Sequence, residues 1–454
     1  WGKHYKNYYK QTLVFKTATL DTLFGGLKPI GIDNEATTKS LLLKDKNGKE
    51  FVMTPLEKDA SSFFKSLAYE HKNSTNTSKN YLSEDFLRDY FTTIHPFTPL
   101  VIPVLSKAID VPFTQPKLYY IPNQNGLSTY NEQFGGTLYY VSEKANTTQK
   151  NNSNFGKPSA IIDTDEMLHQ IRTDKNHVVD TEDYIRARLF DMLIGDWDRH
   201  QDQWRWLEFK EKDKIVFKPL PRDRDQAFSI MSDGFILSAA VKLIPMAKLL
   251  RKYDDDLEDV KGFNIEPFPL DKAFVSHLNE QDWKEQVAFI QSSITDEIID
   301  DAFSNIPSEL NDQTIVDIKK ILKERRSNLQ KIADRYFSLL SKYAVVTGTN
   351  KKDIFSIRSL DNNDIEVSIE RMKKDNNSET YFTAIYKANV TNEIWMYGLD
   401  DDDSFEMIGK SNKIKIRIVG GQNNDTYKVS NGKNIVIYDY KTKKNDITLA
   451  KNAT

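Results

Sequence analysis

Within "GDWDRHQDQW", Gly195 to Trp204, the carboxylates Asp196, Asp198 and Asp202 share ten residues with Arg199 and His200. About 20 residues further on, "PRDRDQAF" adds Asp223 and Asp225. Acids just after a buried helix, then a second acidic group at the end of a hairpin, suit a divalent cation and a phosphate chain. In such chemistry one carboxylate orients a hydroxyl nucleophile, another holds magnesium, and catalysis is mostly positioning and charge neutralisation. The spacing favours phosphoryl transfer over hydrolysis by paired carboxylates. The competing reading is a structural loop in which Arg199 and His200 satisfy the carboxylates. Asp225 is a second ligand or the ion-pair partner of Arg222 or Arg224. His200 is expected to be a hydrogen-bonded core residue that shapes the loop, and Trp197, Trp204 and Trp206 are expected to pack in the core.

The elements that must position these groups are legible in the periodicity. From Thr12 to about Leu56 the pattern is strand-like, with Asn47-Gly48 as a hairpin signal. "SEDFLRDYFTTI" has Ser83 as N-cap and helical spacing, and "KLYYIPNQNG" and "GGTLYYVSEKA" read as strands. Residues 1–150 are therefore expected to form a β-rich lobe carrying a helix. Residues 151–344 turn helical: "TDEMLHQIR" and "DTEDYIRARLFDMLIGD" are helices with Thr164 and Asp180 or Thr181 as caps, and "WRWLEFKEKDKIVFKPLPRDRDQAF" is a hairpin. The stretch from about Phe235 to Tyr343 is mostly amphipathic helix. Residues 345–454 read as a small all-β module, solenoid-like or sandwich-like. Two of its turns, "GLDDDDSF" from Gly398 and "GGQNNDTY" from Gly420, share Gly at the first, Asp at the sixth and an aromatic at the eighth position.

"LIGDWDRHQDQW" resembles the "GNxDRH" catalytic loop of the atypical kinases, found in secretory-pathway kinases and more loosely in HipA-like and type II phosphatidylinositol kinases. The resemblance implies an α+β, two-lobed protein-kinase-like fold, with a β-rich N-lobe and a helical C-lobe, that uses ATP with Mg or Mn. It places Asp198 at the catalytic aspartate, Gln203 at the metal-holding Asn or Glu, and Asp223 at the metal aspartate of a "DNGLAF"-type motif, with Asp225 as a further candidate ligand. A longer resemblance runs through "GKHY", "HPFTPLVIPVLSKAIDVPFTQPKLYYIPNQN", "EQFGG", "RARLFDMLIGDWDRHQDQWRW" and "PRDRDQAF". These look like the region that follows a calcineurin-like phosphoesterase domain in large bacterial envelope proteins, where an outer-membrane barrel often comes afterwards. That implies a periplasmic or surface location, and a barrel, envelope subunit or phosphoesterase domain as neighbour. The sequence departs from the kinase pattern in the N-lobe. "IDNEATT", Ile32 to Thr38, stands where a glycine-rich loop is usual, and "FVMTPL" offers Met53 and Thr54 where a strand lysine is usual. Lys58 is the nearest cation, and Asp89 could take the role of the helix acid. The alternative function is therefore a pseudokinase scaffold in an outer-membrane assembly.

The 454 residues, with aromatics at 11%, point to two or three soluble globular domains. A formal net charge of -3 with interspersed signs gives no reason to expect nucleic acid. The absence of cysteine removes disulfides, thiolate metal sites and cysteine nucleophiles. No "HExxH" pattern supports a zinc hydrolase, and no apolar run reaches the roughly 20 residues of a membrane span. The chain opens on Trp1 and is expected to be a processed or excised piece of a longer protein. In the terminal module, calcium is not expected, because two turns about 22 residues apart are too few for a stacked calcium roll, and Asp400 to Asp403 are expected to be solvated.

Overall fold

The computed structural model describes residues 5–11, 13–34, 38–57, 91–230, 252–372, 377–409, 413–430, 434–440 and 443–449. Its content is mixed α and β, with four sheets among the described residues. The expected helix capped by Ser83 and the apolar stretch after Phe235 fall largely outside the described residues.

The first sheet is antiparallel, in the order β1-β2-β3-β5-β4: β1 (Leu27–Asn34), β2 (Lys39–Asp45), β3 (Glu50–Pro55), β4 (Lys117–Ile121) and β5 (Thr137–Glu143). The Asn47-Gly48 signal holds. Gly48 adopts φ 83° and Asp45 Oδ1 accepts from the N–H groups of Asn47 and Lys49, a turn that an L side chain at Gly48 would strain. Side chains alternate across a strand, so Leu41, Leu43, Phe51, Met53 and Val141 enter a core of their own. Ser40, Val52, Thr54, Tyr140 and Ser142 face the other way, toward helix α1 (Thr98–Ala108).

A second sheet, β6-β8-β9-β7, is built on the hairpin of β8 (Trp204–Glu211) and β9 (Lys214–Pro221), flanked by β6 (Ala160–Ile162) and β7 (His177–Val179). Helix α2 (Thr164–Thr173) is capped by Asp163, whose carboxylate accepts the Glu166 N–H. Thr164, expected to cap, instead donates its hydroxyl to Gln201 O and accepts the Trp206 indole N–H. A carboxylate one residue earlier reaches the free amide, which frees the threonine to buttress the acidic loop.

Helix α3 (Thr181–Ile194) is buried on nearly every side from Tyr184 to Ile194, Arg188 and Asp191 included, and lies at the centre of the main core. It packs among α4 (Phe268–Val275), α5 (Glu280–Ser293) and α7 (Gln313–Ser341), while α6 (Asp296–Phe303) rests against α1. Asp180 caps its start by accepting the Asp183 N–H. Gly195 ends it in the left-handed conformation at φ 78°, with its N–H on Asp191 O. The Tyr253 ring lies where a side chain would go: a Cβ on Gly195 would sit 2.6 Å from Tyr253 Cδ2. Gly195→Ala is therefore expected to cost about 2 to 4 kcal/mol, combining a left-handed backbone penalty with a clash in the core. A urea titration followed by tryptophan fluorescence measures it, and a loss under about 0.5 kcal/mol would show that the turn relaxes freely.

Beyond Tyr343 the strands wind as a parallel coil. One ladder runs β10 (Tyr343–Thr347), β14 (Glu393–Leu399), β16 (Lys415–Gly421), β18 (Ile435–Tyr438). The other runs β11 (Asp353–Ser359), β15 (Ser404–Ile408), β17 (Thr426–Val429), β19 (Asp446–Leu449). An antiparallel hairpin, β12 (Ile365–Met372) and β13 (Ser378–Tyr386), is inserted after the first rung. Parallel ladders are the geometry of a solenoid, not of a sandwich. One rung takes about 22 residues, so the turns at Gly398 and Gly420 sit directly on one another. A third turn, "GTNKKDIF" from Gly348, stacks on them, and Asn445 continues the column. The expectation of only two separated turns is thus corrected: the third lies beyond the inserted hairpin, which hides the repeat in the sequence. Asp403 is likewise not solvated but 1% exposed.

Candidate functional site

The hairpin β8–β9 decides which residues meet. Its register pairs Trp204 with Pro221, so residues 198–203 and 222–225 leave from the same end, and Arg222 N–H donates to Gln203 O at 2.9 Å. The fully buried guanidinium of Arg199 then ties both segments together. Its Nε donates to Asp198 O at 2.9 Å, and its Nη2 donates to Arg222 O at 2.7 Å and to Asp223 O at 2.8 Å. One planar fork thus fixes the backbone on either side of the gap, a task for which lysine lacks the geometry.

The acids divide into different environments. Asp196 is buried under the loop, with Oδ2 2.9 Å from Arg199 Nε. That N–H is directed at the Asp198 carbonyl, so neither Asp196 oxygen gains a hydrogen bond among the described residues. Burial pushes the Asp196 carboxyl well above the usual carboxylate range, opposed by Arg199 and reinforced by Asp191. Asp198 is partly exposed, with Oδ1 3.8 Å from His200 Nε2. Asp202 projects into solvent at 79% exposure. His200 is not a core residue as expected, since its side chain is 39% exposed. It shapes the loop in another way, accepting the Asp202 N–H on Nδ1. Trp204 and Trp206 are fully buried against Tyr184 and Phe274, and Trp197 packs partly buried against the same core.

Asp223 is exposed and held at φ 47°, a left-handed conformation that non-glycine residues adopt only when the surroundings impose it. The carbonyl bond from Arg199 on one side and the anchoring of Arg224 on the other supply that constraint. Arg224 does not look to Asp225 for its partner. Its guanidinium pairs with Asp191 of α3, with Nη2 2.8 Å and Nε 2.9 Å from Oδ1, and Asp191 in turn holds Arg188 at 2.8 Å. Arg188 continues to Asp271 at 3.0 Å, which also accepts the hydroxyls of Tyr184 and Tyr336. A buried network of charges therefore runs from the acidic loop into the helical core. Asp225 Oδ1 accepts the Gln226 side-chain N–H at 3.0 Å.

Between the first sheet, α1 and the 221–225 segment lies a cavity of about 210 Å³. Asp223 and Asp225 line it, whereas Asp198 and Gln203 lie outside its lining. Its roof carries the hydroxyls of Ser40, Thr54, Tyr140 and Ser142, with Ser40 Oγ and Thr54 Oγ1 3.0 Å apart. The alternation in "KSLLLKD" and "TLYYVSE" carries the signal of this polar face, beside the stronger Leu and Tyr repeats. Met53 is fully buried on the opposite face and does not fill the cleft. Among the described residues, no lysine or arginine of β1, β2 or β3 lines the cavity, and its cations are Lys144, Arg222 and Arg224. Asp33 and Thr38 line it from either side of the β1–β2 turn, while Lys58 and Asp89 lie outside the described residues. His95, also in the lining and 2% exposed, accepts the Phe97 N–H on Nδ1, and burial pulls its pKa down to about 3, so it is a neutral wall residue.

Among the described residues, no group of three or more His, Asp or Glu side chains is preformed to hold a metal. The carboxylates of Asp223 and Asp225, two residues apart in one lining, fit a different mode, in which magnesium arrives with phosphates and waters and needs only one or two protein carboxylates. No described helix is long and apolar enough to cross a membrane.

No family model matches the chain, and no curated protein does. Among solved structures, the proinflammatory kinase CtkA of Helicobacter pylori matches 70% of this chain and 98% of its own length, at 13% identity and a TM-score of 0.36. HipA of Shewanella oneidensis MR-1, solved with HipB and operator DNA, matches 72% and 76% at 9% identity and a TM-score of 0.28. The Rio2 kinase of Chaetomium thermophilum, solved as an ADP/Mg2+ phosphoaspartate complex, matches 67% and 70% at 10% identity and a TM-score of 0.23. At such identities and TM-scores, what the cleft can do rests on its own residues.

Proposed function

We propose that the chain is a kinase-like phosphotransferase that binds ATP with Mg or Mn and phosphorylates a hydroxyl acceptor. The observation that carries the reading is Arg199, whose single guanidinium holds the carbonyls of Asp198, Arg222 and Asp223 at the end of one hairpin beside an open cleft. In this proposal the first sheet with α1 is the N-lobe, within 1–150. The body around α3 is the C-lobe, within 151–344, and 345–454 is an appended coil. Asp198 orients the acceptor hydroxyl. Asp223 holds the cation, with Asp225 beside it and Gln203 contributing from the facing strand end. The cation, when bound, would neutralise phosphate charge. The hydroxyl-lined roof and Lys144 would meet the nucleotide, with Lys58 and Asp89 supplementing them.

A second reading, a pseudokinase platform, is favoured by one observation: Asp33 lines the cleft and no described cation on β1 to β3 answers it. Either way, the resemblance to envelope proteins leads us to propose a periplasmic or surface location, beside an outer-membrane barrel or a phosphoesterase domain.

Thermal shift separates the two readings. ATP with MnCl2 is expected to raise the melting temperature, whereas ATP with EDTA leaves it unchanged. Ligand at 100 times its Kd adds about 2.7 kcal/mol of stability. No shift at millimolar ATP and Mn would end the enzyme reading and leave the platform.

A further inference from the structure

The turns of the coil stack four carbonyl-bearing side chains in one column: Asp353, Asp403, Asp425 and Asn445. Each lower residue accepts the backbone N–H of the one above on Oδ1: Asp353 N–H to Asp403 at 2.8 Å, Asp403 N–H to Asp425 at 2.9 Å, and Asp425 N–H to Asn445 at 2.8 Å. The second oxygens differ along the column. Asp353 Oδ2 accepts from Thr349 N–H and its hydroxyl, and its Oδ1 pairs with Arg371 at 3.0 Å. Among the described residues, Asp403 Oδ2 and Asp425 Oδ2 have no hydrogen-bond partner, and both residues are only 1% exposed.

A buried ionised carboxylate without donor or cation is costly. The surroundings offer no relief. Asp403 meets Asp353 above, with Arg371 and the Tyr381 hydroxyl on its far side, Asp425 below, and Asp401 alongside. Asp425 meets Asp403, Asp402 and Asp439, and the hydroxyl proton of Tyr427 is donated to Asp439 at 2.6 Å. The backbone closes in tightly beside the two free oxygens. A Cβ on Gly398 would sit 2.3 Å from Asp403 Oδ2, and one on Gly420 would sit 2.4 Å from Asp425 Oδ2 and 1.9 Å from the Tyr427 hydroxyl. With no donor at hand among the described residues, a proton on each carboxyl is the smallest group that removes the buried charges and completes the column.

We infer that the coil is latched by protons on Asp403 and Asp425, and that it loosens as these protons leave. Burial, opposed by the N–H bonds and reinforced by neighbouring carboxylates, raises Asp403 to about 9 and Asp425 to about 6. Carboxyls raised in the folded state bind protons more tightly folded than unfolded. Their stabilising contribution is thus complete near pH 4, the unfolded carboxylate range, and is lost as pH rises through about 6 and then about 9. Asn445 shows the pH-independent form of the same device, since its amide keeps the acceptor and carries no titrating proton.

The test is hydrogen exchange by mass spectrometry on the full chain, on peptides covering residues 348–356, 398–406 and 420–428, corrected for intrinsic exchange rates. Protection is expected to fall about tenfold or more between pH 5 and pH 8, one pKa unit being a factor of ten. The double variant Asp403→Asn, Asp425→Asn should hold its protection across that range and exceed the wild type at pH 8. Asp401→Asn, an exposed change on the same turn that keeps both column carboxyls, should keep the fall in protection between pH 5 and pH 8, with the Asp403 step moved down in pH. Protection that does not vary with pH in the wild type would overturn the inference. So would restoration of wild-type protection at pH 8 by 2 mM CaCl2 but not by MgCl2 or EDTA, because the column would then hold a cation. If the double variant fails to fold, the single Asp425→Asn, losing only the step near pH 6, decides the matter.

Discussion

Arg199→Met is expected to cost about 3 to 5 kcal/mol, the range for removing one partner of a buried charge pair. The side chain volume is nearly kept, so the loss is electrostatic. Three carbonyls, those of Asp198, Arg222 and Asp223, lose a charged donor, and Asp196 is left buried with Arg224, already paired with Asp191, as its nearby cation. Arg199→Lys should recover part of the stability, because it keeps the charge beside Asp196. It should not recover the nucleotide-dependent thermal shift, because one ammonium cannot span carbonyls on both strands. Adding Asp196→Asn to Arg199→Met removes the poorly compensated acid, so the double variant should be more stable than Arg199→Met alone, by about 1 kcal/mol or more. Urea unfolding read through tryptophan fluorescence measures all three. Equal stability of Arg199→Met and wild type would show that the two segments are held by the hairpin alone.

How much of this was written in the sequence depends on the range of the interaction. The meeting of residues 198–203 with 222–225 is local: one hairpin of known register, read from two alternating runs, brings them to the same end. Met53 and Thr54 could likewise be assigned to opposite faces by alternation alone, though the sequence does not say which face borders the cleft. The division of labour among Asp196, Asp198 and Asp202 was not legible, because it depends on which way a tight loop turns after Gly195. Nor was the partner of Arg224, since Asp191 lies 33 residues earlier on a helix whose rotation is set by packing. The coil was half legible. Its strands alternate, yet the inserted hairpin of β12 and β13 breaks the 22-residue period just where a third copy would have revealed the stack.

Asp223→Asn is expected to abolish the manganese-dependent part of the ATP thermal shift while leaving the unliganded protein within about 0.5 kcal/mol of wild type. The side chain is exposed, so little packing is lost, and asparagine tolerates the left-handed backbone that φ 47° requires. The exchange of a carboxylate for an amide therefore changes the charge offered to a cation and little else. Asp198→Asn should do the opposite. It lies outside the cleft lining, so the thermal shift with ATP and MnCl2 should persist, while turnover onto a hydroxyl acceptor falls about 10²- to 10⁴-fold, the usual range for losing a general base. The two variants thus split binding from chemistry at one site. Asp223→Asn retaining the full shift would move the cation elsewhere, to Asp225 or to the phosphates alone. A shift lost in both variants would mean that the two segments form one indivisible binding unit, in which the Arg199 bridge makes either substitution act on both sides of the cleft.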